Sequence, residues 1–415
     1  MKRAIILGAG ISGLALAWHL RKKNPEIDIC IVDPQKRAGG WIETRCIDAY
    51  QFECGPRSLR FCQSDLNFIN EIGLSSELIE ADSQAAKKYL VFDGKLIAVP
   101  PNPLALLTSP FGHLCMKAVF GYPFRRKAKC DDESVASFFE KRLGRGAMRA
   151  IIDPVVGGIW AAKPDAISMK ASFSALPKRS KMKLYSFRNG VEELPKKLAT
   201  HFAKNLHLGV VPKKIVELSD RVVLECQNET FEGDVLFSTL TVEKGAALLQ
   251  GDRVLPLLPH VPRTSLVVVA LGWKKEDLPF HGFGFLCPSQ EEGGKLLGIS
   301  FDSSIFPQHN GPFASRLSVM IGGRGDESFC EKSDDELQSL ATRYCKKYLG
   351  LGVPDVAHIV RAKRSISAYL IGHMQRLSTL EAHLAPRRIK MVGAGLYGIS
   401  VPACIQQSQK IGMCS

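Results

Sequence analysis

Three glycines near the start of this 415-residue chain, Gly8, Gly10 and Gly13, are spaced G-x-G-x-x-G, and an acid, Asp33, stands twenty residues after the last of them. These residue types in this spacing can hold a dinucleotide. Gly8 would make a tight turn, Gly10 would let the backbone approach a pyrophosphate, and Gly13 would let a helix pack closely on a strand. The helix N-terminus would face the phosphates with its partial positive charge. Asp33 would accept hydrogen bonds from ribose hydroxyls. A second glycine-rich stretch lies almost at the other end of the chain, in VGAGLYGISVP, with Gly393, Gly395 and Gly398.

Both stretches need a strand before them and a helix after them. Arg3 to Leu7 (RAIIL) reads as a buried parallel strand, Ser12 to Lys23 as an Ala/Leu-rich amphipathic helix, and Asp28 to Val32 (DICIV) as a second strand ending at the acid. Near the carboxyl end, Ile389 to Val392 reads as a strand, and Pro402 suits the first turn of a helix, where its missing N–H costs nothing.

Composition sets the outer limits. The chain is long enough for two or three domains, and 45% hydrophobic with 23% charged residues is ordinary for a globular protein. Lys and Arg number 55 against 41 Asp and Glu, a formal charge of +14, which suits an anionic partner. The twelve cysteines contain no C-x-x-C pair and no Cys/His cluster with zinc spacing, so no metal site is expected, and scattered thiols fit a reducing, cytoplasmic compartment. Lys2, Arg3 and the later Ala15-Leu16-Ala17 imitate a leader peptide, but cleavage there would destroy the glycine pattern. No apolar run of about 18 residues suggests a membrane-spanning helix. No recognised nucleic-acid module is visible, so nucleic acid is not expected as the partner of the basic charge.

Several blocks together resemble the FAD-dependent protoporphyrinogen/coproporphyrinogen oxidases of haem biosynthesis, within the flavin amine-oxidase superfamily. They are GAGISGL, RAGGWIET, ECGPRSLR, YLVFDGKLIAVP, DPVVGGIWAAKPDAISMKASF, SFRNGVEELPKKLA, GFGFLCPS, LLGISFDSSIFP, SVMIGGRGDESF, AYLIGHMQRLSTLEAHL and VGAGLYGISVPACI, in the family's order from residue 4 to residue 412. The resemblance implies an α/β (α+β) fold in three parts. A discontinuous Rossmann-like FAD-binding domain would comprise 1–60, 186–240 and 388–415. A helical membrane-binding segment would span 100–185, and a sheet-bearing substrate domain 61–99 and 241–387.

The implied cofactor is FAD. A second glycine turn after the ribose acid, Gly39-Gly40 with Arg37, is a feature of such oxidases. The resemblance adds Ile11, Ser12, Pro34, Trp41, Gly55, Pro56, Arg57, Gly395 and Val401 to the cofactor contacts. FAD is long enough to need both glycine loops, the first for its adenosine half and the second for its ring. The C-terminal helix would aim its N-terminus at the pyrimidine edge, where reduced flavin carries negative charge.

The implied reaction is oxidation of protoporphyrinogen IX to protoporphyrin IX, with molecular oxygen as acceptor and hydrogen peroxide as product. Oxidation of coproporphyrinogen III stays open as an alternative, as does a flavin amine oxidase or carotenoid desaturase. Hydride transfer from a methylene carbon needs positioning at about 3–3.5 Å more than acid/base groups, and no paired-carboxylate or Ser/His/Asp constellation stands out, so no catalytic proton-transfer residue is named. The implied substrate contacts are Lys88, Arg57, Gly158 and Phe283. Lys88 stands where plant relatives carry Arg, so a point charge replaces a bidentate fork toward a propionate. Residues 101–130 alternate apolar groups with turns and end in Arg125, Arg126, Lys127 and Lys129; a second basic cluster runs from Lys178 to Lys183. Apolar residues beside such clusters suit the surface of an anionic bilayer, giving a peripheral place on the inner face of the cell membrane.

Overall fold

A computed structural model describes residues 2–114, 132–173, 182–249 and 261–414. The basic cluster from Arg125 to Lys129 and residues 178–181 of the second cluster lie outside the described residues.

Five parallel strands form one sheet. Their spatial order is Leu206–Leu208, Asp28–Asp33, Arg3–Leu7, Val235–Ser238 and Ile389–Met391. Such a sheet is covered on both faces, so its strands are near-continuous apolar runs; Ala4 to Leu7 and Ile29 to Val32 are all buried. One face carries helices Ile11–Lys23 and Val401–Cys414, with Leu14, Leu16, Val401 and Ile405 in a shared core. The other face packs a three-stranded antiparallel crossover, Pro212–Glu217, Val222–Cys226 and Thr230–Gly233, through Ile215, Leu224 and Phe231. Chain segments from the start, the middle and the end thus build one sheet.

Helix Gln63–Glu71 also belongs to this core. Phe61, Phe68, Ile69, Ile72 and Leu74 pack with Leu14 and Leu20. The stretch 61–74, assigned above to the substrate domain, therefore buries its apolar side against the parallel sheet's helices.

A second sheet has seven strands, in the order Val356–Ser367, Arg263–Trp273, Ser315–Gly322, Leu296–Ser300, Gly284–Leu286, Tyr89–Phe92 and Lys95–Ala98. All neighbours are antiparallel except Gly284–Leu286 with Tyr89–Phe92. The strand RTSLVVVALGW, second from one edge, is buried from Ser265 onward, because both faces are covered. Val267, Val269 and Leu271 pack with Leu337, Ala341 and Tyr344 of helix Asp334–Leu349. Leu266 and Val268 point the other way, towards Leu297, Met320 and Ala161. Helix Asp334–Leu349 is well bounded. Ser333 and Glu336 form a reciprocal capping box, and Gly350 ends the helix in the left-handed region at φ 72°.

A helical region, Val135–Ala147, a π-type turn Met148–Ile152 and Asp153–Trp160, packs on the seven-stranded sheet. Asp153 and Arg324 pin it to the seven-stranded sheet. Both side chains are buried and meet at 3.5 Å. Arg324 also donates to the carbonyls of Cys287 at 2.9 Å and Gly294 at 3.1 Å. Asp153 Oδ2 accepts from the Ser289 N–H at 2.6 Å. Among the described residues no helix is long and apolar enough to cross a membrane, and no group of His, Cys, Asp and Glu could hold a metal ion.

Candidate cofactor and substrate site

The first glycine loop leaves its strand at Gly8, whose φ of +115° only glycine adopts readily; a Cβ there would also lie 2.2 Å from Thr239 Oγ1. A Cβ at Gly13 would stand 2.0 Å from the Gly8 carbonyl oxygen, so the helix can approach its strand this closely only without one. Asp33 is buried and held by the backbone. Its Oδ2 accepts from the Ala9 N–H at 2.6 Å and its Oδ1 from the Gln35 N–H at 2.7 Å. The acid is thereby fixed at the loop's edge, with lone pairs left over for ribose hydroxyls.

The second glycine turn stacks on the first loop. Gly39 N–H donates to the Ala9 carbonyl at 2.8 Å, and a Cβ at Gly40 would be 3.3 Å from the Gly10 Cα. Arg37 builds this turn from beneath. Its guanidinium donates to the carbonyls of Gly40 at 2.7 Å and Ile42 at 3.0 Å, and pairs with Glu43 at 3.3 Å and Glu192 at 3.5 Å. Pro34 and Trp41 are exposed at the rim, and Ile11 and Ser12 are buried in the helix start.

Gly55, Pro56 and Arg57 follow the hairpin Thr44–Ile47 and Tyr50–Glu53. A Cβ at Gly55 would lie 1.9 Å from the Trp41 carbonyl oxygen, which locks this turn against the glycine-rich loops. Arg57 reaches the seven-stranded sheet, with Nη1 3.7 Å from Met320 Sδ, while its buried Nε has no partner among the described residues. Burial lowers its pKa, and the charges of Asp302 and Glu53 act the other way. Asp302 is oriented by the Ser300 hydroxyl at 2.7 Å and the Ser318 hydroxyl at 2.5 Å. Burial pushes Glu53 up to about 8, although the Val191 N–H and the Thr44 hydroxyl donate to it at 2.9 and 2.8 Å.

The C-terminal loop comes to the same place. Strands Arg3–Leu7 and Ile389–Met391 flank Val235–Ser238 in the sheet, so both loops emerge at one edge, the carboxyl ends of parallel strands. A Cβ at Gly393 would lie 3.5 Å from Ser12 Oγ, and Gly393 N–H donates to Gln407 Oε1 at 3.2 Å. Ser400 caps the last helix, its hydroxyl accepting from the Ala403 N–H at 3.2 Å. Gly395 is half-buried, and a Cβ there would meet nothing nearer than Val242 at 3.9 Å. Helices Ile11–Lys23 and Val401–Cys414 run parallel, since Ser12 meets Ser408 and His19 meets Gly412. Neither has an acid in its first turn. Two uncompensated helix N-termini therefore face one edge, which favours bound negative charge.

Three of the residues expected at the substrate, Lys88, Phe283 and Gly158, lie at the strand pair Tyr89–Phe92 and Gly284–Leu286. Phe283 N–H donates to the Lys87 carbonyl at 2.8 Å, setting Phe283 beside Lys88. Phe283 is half-buried and packs on Ile79, Ile305 and Phe306. Lys88 is exposed; partial burial lowers its pKa, and the nearby charge of Arg60 adds to this. Gly158 fits against this strand pair, since a Cβ there would lie 2.5 Å from Leu286 Cδ2. A side chain at Gly158 would thus first push Leu286. Sequence reasoning missed Leu286, Arg60, Asp302 and Met320. Arg60 alone carried a signal, as a second cation close to Arg57, between apolar Leu59 and Phe61.

The match with known proteins follows this geometry. The flavin containing amine oxidoreductase pattern covers residues 11–406. The chain belongs to that family. It is an FAD-dependent oxidoreductase, and the residues above fit the cofactor: paired glycine loops at one edge, an acid fixed beside the first loop, and a buried guanidinium nitrogen without a partner among the described residues. Similar proteins include protoporphyrinogen oxidase of Homo sapiens, 28% identical over 99% of this chain and 97% of the relative. Coproporphyrinogen III oxidase of Bacillus subtilis is 24% identical over 98% and 96%. A crystal structure from Exiguobacterium sp. 255-15 superposes with a TM-score of 0.87 at 20% identity, covering 100% of this chain and 98% of that one, and reduced UDP-galactopyranose mutase superposes at 0.79 and 13%. These two show the shared fold.

Proposed function

We propose that this protein oxidises protoporphyrinogen IX to protoporphyrin IX, with molecular oxygen as terminal acceptor and hydrogen peroxide as product. The observation that carries the reading is the end-to-end match with protoporphyrinogen oxidases, 28% identical over 99% of the chain. Bound FAD supplies a hydride acceptor beside the substrate's methylene carbons. The chain's own task is then to bind, orient and exclude water.

Cations and apolar walls are placed for that task. Lys88 and Arg60 lie near one another, and no ion pair or hydrogen bond ties either side chain among the described residues, so they are free for the carboxylate arms of a porphyrinogen. Phe283 in one apolar cluster, and Leu286 and Met320 on the seven-stranded sheet, offer apolar surface against which a flat greasy macrocycle would pack. Arg57 sits between that wall and the glycine loops, where its guanidinium orients either partner. Three rounds remove three hydrides from bridge carbons and three protons, two from pyrrole nitrogens and one from the fourth bridge carbon; this completes the aromatic macrocycle and reduces three molecules of oxygen to hydrogen peroxide. No side chain is assigned as the proton acceptor.

Coproporphyrinogen III is the second reading. It carries two more carboxylates, and the cations Lys88 and Arg60 favour an anionic substrate. The deciding experiment compares kcat/KM for the two porphyrinogens under air. A higher value for protoporphyrinogen supports the first reading, and a higher value for coproporphyrinogen replaces it. A peripheral contact with an anionic membrane, through the basic clusters around Arg125 and Lys178, belongs to the same proposal and agrees with a greasy substrate entering from lipid. So does the three-part division of the chain, in which the parallel sheet, the helical region and the seven-stranded sheet are the cofactor, membrane and substrate parts.

A further inference from the structure

Tyr369 and His373 lie outside every residue assigned above to cofactor or substrate, yet both grip the C-terminal glycine loop. The Tyr369 hydroxyl donates to the Ala394 carbonyl at 2.6 Å and accepts from the Gly398 N–H at 2.8 Å. His373 Nε2 is 2.8 Å from the Leu396 carbonyl. A carbonyl only accepts, so Nε2 carries the proton. The two rings stack with centroids 4.3 Å apart and planes 21° from parallel, and both residues are buried. Burial raises the phenol's pKa and lowers the imidazole's, which keeps both neutral in the donor roles the geometry needs.

The clamp itself is rigidly mounted. Tyr369 carbonyl accepts from the Ser168 N–H at 2.8 Å, and Ala368 N–H donates to the Pro262 carbonyl at 2.8 Å. Gly372 N–H donates to Asp132 Oδ2 at 2.8 Å, while Asp132 Oδ1 accepts from the Ser168 hydroxyl at 2.6 Å. Three points of the loop, at residues 394, 396 and 398, are therefore held from one side by a stacked pair anchored to the helical region. Gly395, between these points, is half-buried, and a Cβ there would meet nothing nearer than Val242 at 3.9 Å.

We propose that Tyr369 and His373 are positioning residues for the flavin ring. They fix the 393–398 loop in the shape that receives the ring and keep the N-terminus of helix Val401–Cys414 aimed at it. This rests on the assignment of the two loops to one FAD. Neither residue touches the reacting atoms.

The test uses the FAD-loaded protein and its Tyr369→Phe, His373→Gln and His373→Leu variants. It reads the rate of FAD release by flavin fluorescence, the flavin midpoint potential and the melting temperature. Tyr369→Phe keeps the stacked ring and removes both hydroxyl bonds; FAD release is expected to rise about tenfold, as for loss of one to two hydrogen bonds, with a more negative midpoint potential. His373→Gln retains an N–H donor and should stay closer to the parent than His373→Leu. Should Tyr369→Phe fail to fold, the two His373 variants decide. Parent-like release and potential in Tyr369→Phe, or in both His373 variants, would overturn the proposal even if melting falls, because the pair would then be structural alone. A parent protein that binds no FAD would instead defeat the cofactor assignment on which this rests.

Discussion

Ser408 Oγ donates to the backbone carbonyl of Ser12 at 2.9 Å, across 396 residues of sequence, and shares its proton with the Cys404 carbonyl at 2.8 Å. One hydroxyl thus ties the start of the first glycine-loop helix to the C-terminal helix. The bond is buried, where it is not exchanged for water. It explains how two similar loops at opposite ends of the chain serve one edge: their helices run side by side from the same sheet.

That pairing depends on the absence of a side chain one turn later. A Cβ at Gly412 would lie 2.9 Å from His19 Cβ. Gly412→Val should cost about 1–3 kcal/mol by overpacking near the carboxyl ends of the two helices and, by tilting the helices against each other, raise the Kd for FAD. Thermal melting and flavin-fluorescence titration check both effects; Ser408→Ala should change them in the same direction but less.

His19 gives the same interface a pH dependence. It is buried against Phe68, at 5.4 Å between rings, and burial lowers its pKa to about 4. The folded state therefore resists a proton that the unfolded chain accepts near its ordinary value of about 6.5. The contribution is full above pH 6.5 and is lost as pH falls from 6.5 towards 4, by about 3 kcal/mol at most, at 1.36 kcal/mol per unit. Denaturant unfolding at several pH values should show this slope, and His19→Phe should flatten it.

The cations proposed for the substrate should be separable from the cofactor. Lys88→Ala and Arg60→Ala should each raise KM for a porphyrinogen several-fold, the double variant more, with bound FAD unchanged. Flavin content and steady-state kinetics check this. Lost flavin in either variant would give that residue a structural role.

Gly158 and Leu286 are expected to act as a pair. Gly158→Ala should reduce kcat/KM because the methyl displaces Leu286, 2.5 Å from the Cβ position. Adding Leu286→Ala should restore part of the loss, since it opens the space the methyl needs. A double-variant cycle shows the coupling; additive losses would mean that the methyl acts on the substrate directly.

The parts of the fold carried by local patterns are legible in the residues themselves. RAIIL and DICIV form buried parallel strands, and the two glycine stretches form strand–turn–helix units, since backbone geometry and residue type decide these locally. What depends on long-range packing is less visible. Phe61 to Leu74 show an ordinary amphipathic pattern, and nothing local says that their apolar face meets Leu14 and Leu20. Arg37 is expected beside the second glycine turn as a cofactor contact, and what its sequence does not reveal is that its guanidinium holds that turn together through Gly40, Ile42, Glu43 and Glu192. Gly158 is expected as a substrate contact, and nothing in its sequence says that Leu286 packs on it. Tyr369 and His373, four residues apart, are separated by more than twenty residues from the carbonyls they hold, so spacing alone could not pair them with the loop.

The central claim is that two distant glycine loops hold one FAD that accepts hydride from a porphyrinogen. Anaerobic rapid mixing of the FAD-loaded protein with protoporphyrinogen IX, coproporphyrinogen III and simple amines, followed by flavin absorbance, tests it most directly. Rapid bleaching by a porphyrinogen and none by amines is the expected result. Flavin that stays oxidised with both porphyrinogens, or that is bleached by an amine instead, would contradict it.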